Sequence, residues 1–292
     1  TIESYICTMR ICFLLIVFSF TQLNAQTDST KAFRIAVASE LIVYSGTLYG
    51  LNDLWYSDYE RSSFHWYNDN KNWYKQDKFG HATTAYNVSQ LGTNVMLWSG
   101  VPRKKAIWYG GLYGPFFLTS IEILDGYSEK WGASYGDLIA NTLGSFLFVG
   151  QELAWQEQKI QLKYSFYPTS YASQNPNILG SNFMEETIKD YNGQTYWLSL
   201  NLKSFIAKSK TPEYLNVAFG YGIDNLLSGG AYTDDSKQQY YLSLDIDLNR
   251  IKTNNAFLDK CLKVLSFIKV PMPAIMLDSK QKFKFYPIYY GQ

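Results

Sequence analysis

Residues 194–203 read Gln-Thr-Tyr-Trp-Leu-Ser-Leu-Asn-Leu-Lys, and the alternation within them decides the class of fold. Tyr196, Leu198, Leu200 and Leu202 alternate with Trp197, Ser199, Asn201 and Lys203. A period of two puts the first set on one face of a strand and the second on the other. The same period returns at Leu215, Val217, Phe219 and Tyr221 against Asn216, Ala218 and Gly220. It returns once more from Tyr240 through Leu242, Leu244 and Ile246 to Leu248, against Ser243, Asp245, Asp247 and Asn249. These are half-buried antiparallel strands. Segments 162–167 and 282–290 add two more, and 256–268 reads as a short helix. The resulting five or six strands fall short of the roughly eight needed by the smallest single-chain outer-membrane barrels. A sheet or partial barrel packed on helices is therefore expected, with a complete membrane barrel as the alternative.

Upstream of about residue 157 the period changes to that of helices. Ile35, Ala38, Leu41, Ile42 and Leu48 recur at helical spacing, so a first helix is expected from 31 to about 55. The aromatic, Asn- and Asp-rich stretch 56–74 reads as an ordered loop. A second helix runs from Gln76 to Trp98, stopped by Gly100-Val101-Pro102, and a third from Arg103 to about Leu124. Ser134 is the N-cap of a fourth, ending near Gln158, with Asp137 in its first turn where the helix dipole favours a carboxylate. The expected fold is α+β: a helical bundle over 26–157 packed on an antiparallel sheet over 158–292. Seven of the eight Trp lie between Trp55 and Trp155, which marks the same division.

No charged side chain occurs over 82–102 or 106–121, yet Asn87, Gln90, Asn94, Gly110, Gly111, Gly114 and Pro115 interrupt these runs, so buried core helices are expected rather than membrane spans. Gly110-Gly111-Leu112-Tyr113-Gly114 suits close helix packing and lacks the Lys-Ser/Thr of a phosphate loop. At the start of the chain, Met9-Arg10, the apolar run 11–20 and Ala25 read as a signal peptide cleaved after Ala25, with residues 1–8 upstream of the true start. No Cys follows that cleavage site, so a lipidated mature N-terminus is not expected; Cys261 alone remains and excludes an intrachain disulfide. The 26 basic and 25 acidic residues leave a net charge of +1, without the broad positive field that nucleic-acid binding needs.

Three polar pairs stand out in the uncharged helices: Asp77 with His81, Glu122 with Asp125, and Asp137 with Asn141. Each spacing puts both members on one helix face. Packed together, the three pairs bring carboxylates, an amide and an imidazole into a dry interior, where unpaired polar groups are costly. Asp77 is placed to orient His81 for acid–base chemistry or simply to lock helices. Glu122 and Asp125 suit divalent-cation binding, division of acid and base roles, or a solvated helix end. Asp137 and Asn141 suit an oxygen-rich shell or a capping and bridging role. Zinc of the usual type is not expected with two His and no Cys cluster, so the metal and any cofactor stay unassigned. Lys78 with Arg103, Lys104 and Lys105 reads as a headgroup contact or a solvated turn.

The ordered set Asp77-Lys78-x-x-His81, Glu122-x-x-Asp125 and Ser134-x-x-Asp137-x-x-Ala140-Asn141-x-x-Gly144 resembles the YfiM-type family of predicted periplasmic lipoproteins and, more distantly, VanZ-like membrane proteins. The resemblance covers about 75–155. It implies an envelope location, in the periplasm or at the outer membrane, a membrane surface or lipid as partner, and a site without a defined reaction. Two functions follow as expectations. The cluster organises the helices of an outer-membrane-associated protein, or it is the active site of a hydrolase or transferase working on a lipid or cell-wall precursor with His81 as acid or base.

Overall fold

A computed structural model describes residues 29–57, 59–206 and 210–291. The expected leader over 1–25 lies outside them. Five helices come first: α1 (Ser29–Tyr56), α2 (Gln76–Trp98), α3 (Arg103–Gly111), α4 (Tyr113–Gly126) and α5 (Tyr135–Ala154). The uninterrupted helix expected over 103–124 is broken at Leu112 into α3 and α4. Small residues set their packing. A Cβ on Gly110 would run into the Thr93 backbone of α2. The apolar core of this layer joins Tyr86 of α2, Ile107 of α3, and Phe148 and Val149 of α5. A second patch joins Ala85, Phe117 and Leu118 to Tyr44, Leu48 and Leu51 of α1. Among the described residues no helix is long and apolar enough to cross a membrane.

Six strands follow: β1 (Ile160–Phe166), β2 (Gln194–Asn201), β3 (Leu215–Asp224), β4 (Lys237–Ile246), β5 (Met272–Asp278) and β6 (Phe283–Tyr289). Each pairs antiparallel with the next in chain order, so the sheet is a meander. Three short helices, α6 (Pro176–Leu179), α7 (Phe183–Lys189) and α8 (Leu202–Phe205), lie in the connections beside β2, and α9 (Ala256–Val264) precedes β5. The fold is thus α+β, with a sheet that is not closed into a barrel. It does curl strongly. Tyr289 of β6 meets Thr195 of β2 through a 2.9 Å hydroxyl contact, and Lys269 N donates to Tyr164 O of β1 at 2.8 Å.

The two faces of this sheet divide in an unusual way. On the concave face Lys163, Ser199, Asn201, Asn216, Ser243 and Asp245 are buried beside a Trp197–Tyr241–Tyr289 aromatic cluster. The convex face carries apolar rows that cross strand after strand. One row runs Leu162–Leu198–Phe219–Leu242–Ile275–Phe285, each residue opposite the next. A second runs Tyr164–Tyr196–Tyr221–Tyr240–Leu277–Phe283. The helices cover the β1–β3 side: Leu162 packs against the Tyr86–Phe148 core, Phe79 of α2 packs on Tyr221, and Gly80 sits against the Tyr196 ring. Phe219, Leu242, Leu277, Phe283 and Phe285 remain exposed.

Candidate functional site

The start of α2 is positioned by strained backbone. Trp73, Tyr74 and Lys75 all take positive φ (48°, 47° and 66°), a conformation L-residues adopt at a cost. The turn is anchored by Trp73 N donating to Gly229 O at 2.8 Å and by burial of the Trp73 ring among Leu179, Ile223 and Leu226. One turn later Lys78 points into the helical layer. There α5 crosses α2 so closely that a Cβ on Gly144 would collide with the Ala82 carbonyl. That crossing brings His81 and Asn141, 60 residues apart, within 3.0 Å, from His81 Nδ1 to Asn141 Oδ1.

Two triads of side chains share Asp137. In the first, Lys78 Nζ lies 2.6 Å from Asp69 Oδ1, 3.0 Å from Asp77 Oδ2 and 2.9 Å from Asp137 Oδ1. The contact to Asp137 is an ion pair with the ammonium, and it is the point at which the two triads join. Ser134 closes the group. Its hydroxyl donates to Asp69 Oδ1 at 2.6 Å and accepts from Asp137 N at 3.2 Å, the N-cap bond of α5. In the second triad His81 Nε2 lies 3.8 Å from Glu122 Oε1 and 3.6 Å from Asp137 Oδ1. Both are beyond hydrogen-bond length. Glu122 Oε2 accepts from Ser134 N at 2.8 Å, while Oε1 has no partner; Asn141 Nδ2 and Asp77 Oδ1 are likewise buried without one.

Electrostatics follow from burial. It raises Asp77 and Asp125 to about 6 and Glu122 to about 8, against the opposing pull of Lys78 on Asp77, of a Tyr56 hydrogen bond and His81 on Asp125, and of His81 on Glu122. Asp69 also feels burial, but hydrogen bonds from Lys78 and Ser134 outweigh it and lower its pKa. Burial would lower His81; Asp137, Glu122, Asp77 and the Asn141 hydrogen bond reverse this and raise it. Lys78 is raised as well, burial being overcome by Asp77, Asp137 and Asp69.

The six expected residues therefore gather at one place, in two tiers. His81, Glu122, Asp137 and Asn141 meet directly. Asp77 pairs with Lys78 at 3.0 Å and acts on His81 through its charge. Asp125 accepts from Tyr56 OH at 2.7 Å and lines the far side. Lys78 is no headgroup contact: its side chain is 13% exposed and held by carboxylates. Its signal in the sequence was that it is the sole Lys or Arg in α2. Asp69 sits in an aperiodic loop and had no such signal. Of the basic run at the start of α3, Arg103 pairs with Glu152 of α5.

Residues 65–149 match a protein family described as predicted periplasmic lipoprotein (DUF2279). The match spans the loop before α2 through most of α5, so it contains both triads and stops short of the sheet. That description agrees with an exported protein of the periplasm or outer membrane, and a lipoprotein family carries an association with membrane. No curated protein and no solved structure matches the chain.

Proposed function

We propose that this protein works at the outer membrane, with the convex face of its sheet in lipid and its His/carboxylate cluster organising the helical layer beside that surface. The observation that carries the reading is the inverted polarity of the sheet. Sheets of water-soluble proteins bury the apolar face and solvate the polar one. Here the Lys163–Asp245 pair, 2.7 Å apart with both side chains 0% exposed, lies inside, and Leu242, Leu277 and Phe285 lie outside. Apolar outside and polar inside is the arrangement of lipid-facing strands. The row of four tyrosines from β1 to β4 has the composition of an interfacial aromatic belt. The helical cluster supports the structural half of the reading, since Lys78, Ser134 and Glu122 tie the loop at Asp69 to α2, α4 and α5. A helical unit over 26–157 and a sheet unit over 158–292 remain our division of the chain, and the YfiM-type resemblance of the first unit stands beside it.

Flotation with vesicles of phosphatidylethanolamine and phosphatidylglycerol tests this. Wild-type protein is expected in the lipid fraction. Each buried Phe or Leu is worth about 1.5–3 kcal/mol, so the double substitution Phe219→Lys, Leu242→Lys should cut partitioning by roughly 100-fold or more. Wild-type protein that stays in the aqueous fraction sinks the reading.

The unpartnered oxygens around a His81 side chain that is 20% exposed favour a second reading, an envelope hydrolase or transferase with His81 as acid or base. Incubation with envelope lipid and cell-wall precursor extracts, followed by mass spectrometry, should then reveal a product that His81→Gln abolishes. Absence of any such product removes this reading.

A further inference from the structure

We propose that His81 Nε2, Glu122 Oε1 and Asp137 Oδ1 bind one divalent transition-metal ion, of which Zn²⁺ and Mn²⁺ suit the mixed nitrogen and oxygen set. The inference goes beyond both readings above and does not depend on membrane binding. At His81 it replaces an acid–base role with a ligand role.

The argument rests on the contrast between the two triads. In the Asp69–Asp77–Asp137 triad the protein supplies its own cation: Lys78 Nζ sits 2.6–3.0 Å from one oxygen of each carboxylate. The adjoining group of His81, Glu122 and Asp137 has three potential ligand atoms within 4.8 Å of one another; Lys78 Nζ reaches only the shared Asp137 Oδ1, at 2.9 Å, and Glu122 Oε1 faces His81 Nε2 at 3.8 Å. Glu122 is 2% exposed and Asp137 is 4% exposed; Asp137 Oδ1 has the Lys78 ammonium at 2.9 Å and His81 Nε2 at 3.6 Å, and Glu122 Oε1 has no hydrogen-bond donor. A buried carboxylate oxygen left so is expensive.

The spacing has a chemical reading. Separations of 3.6 and 3.8 Å are too long for hydrogen bonds. Ligand atoms at about 2.0–2.2 Å from a tetrahedral ion lie roughly 3.3–3.6 Å apart, which is close to those separations. Second, the outer partners are in place. With Asn141 Oδ1 as the acceptor at 3.0 Å, His81 Nδ1 carries the proton, so the neutral imidazole would present its Nε2 lone pair to an ion. Glu122 Oε2 accepts from Ser134 N and so turns Oε1 towards His81. Third, the formal charges leave room for a dication: Asp69, Asp77, Glu122, Asp125 and Asp137 face one lysine and one histidine. Three protein ligands leave the fourth position of a tetrahedral ion open for water or a substrate oxygen.

The test is Zn²⁺ titration by calorimetry of the full chain after chelator treatment, with Co²⁺ absorption as the spectroscopic readout and circular dichroism as the check on folding. One saturable Zn²⁺ per chain and the visible bands of low-coordinate Co²⁺ are expected. Glu122→Gln and His81→Gln should each weaken binding at least tenfold, and Asn141→Ala, which alters only the partner of the imidazole, should weaken it by about 10–100-fold with the stoichiometry kept. Folded wild-type protein without saturable binding overturns the proposal. So does a folded Glu122→Gln or His81→Gln that binds Zn²⁺ as tightly as wild type.

Discussion

Two of the buried groups of charged side chains, one in the sheet and one in the helical layer, are built on opposite terms. Inside the sheet, Lys163 meets Asp245 at 2.7 Å and also donates to Ile246 O at 2.8 Å, while Asp245 accepts from Ser199 Oγ at 2.6 Å. Asn216 and Asn201 extend this network, and nothing in Lys163 or Asp245 is left unpartnered. In the helical layer, carboxylates outnumber cations and several oxygens lack donors. A saturated network of this kind holds a structure together. An unsaturated one, in a protein that has kept its charges buried at a cost, is where binding or chemistry is to be sought.

The sharpest way to break this comparison is to remove Lys163. Lys163→Ala leaves Asp245 buried without its strongest partner and should cost about 3–5 kcal/mol, measured by urea unfolding. A loss below about 1 kcal/mol would show that the sheet interior admits water.

The next effect is one of pH and also belongs to the sheet. Burial pushes the Lys269 ammonium down to about 8, with Asp245 of β4 pulling it up and Lys163 of β1 pushing it down, while the Trp197 ring of β2 faces it at 4.9 Å. The folded pKa lies below the unfolded one of about 10.4. Below pH 8 both states are protonated and the cost of burying the charge is fully present. Above it the folded state sheds the proton first, so stability rises with pH from about 8 towards 10, by roughly 3 kcal/mol at most. Melting temperatures between pH 7 and 9.5 should climb relative to Lys269→Met; parallel curves would refute the assignment.

Third comes a change of opposite sign. Glu122→Gln in metal-free protein removes a buried, half-satisfied carboxylate and keeps an oxygen for Ser134 N, so stability should hold or gain about 1 kcal/mol. Asp245→Asn should lose stability in the same assay. If both lose, the two networks are of one kind. The smallest expected effect concerns the convex face, where Leu242→Lys should change stability in water by no more than about 0.5 kcal/mol, as at any solvated position. A larger loss would mean that this face is covered by the protein itself.

Much of this was legible from residue order. The period-two runs gave β2, β3 and β4, segments 162–167 and 282–290 gave β1 and β6 to within a few residues, and Gln76–Trp98 emerged with both of its ends. The break at Leu112 was not legible, because the run of small and aromatic residues there has no proline or charge at the break itself. Strand β5 was missed since Pro273 interrupts its alternation. The sense of the sheet was hidden for a deeper reason: alternation states that two faces differ, and only the curl of the sheet decides which of them is enclosed. In the site, spacing within helices found the pairs. It was silent on Asp69 and on the division into two triads, which arise from the α2–α5 crossing and from a loop without period.

The meander itself has a bearing on how the chain reaches its final form. Every strand finds its partner in the strand just made, so the pairings span short stretches of sequence and incur little loop-closure entropy. A chain delivered across a membrane from its N-terminus can thus complete the helical layer and then add hairpins one after another. The Lys163–Asp245 bond, which joins the first strand to the fourth, would mark the moment in that sequence when the growing ribbon bends.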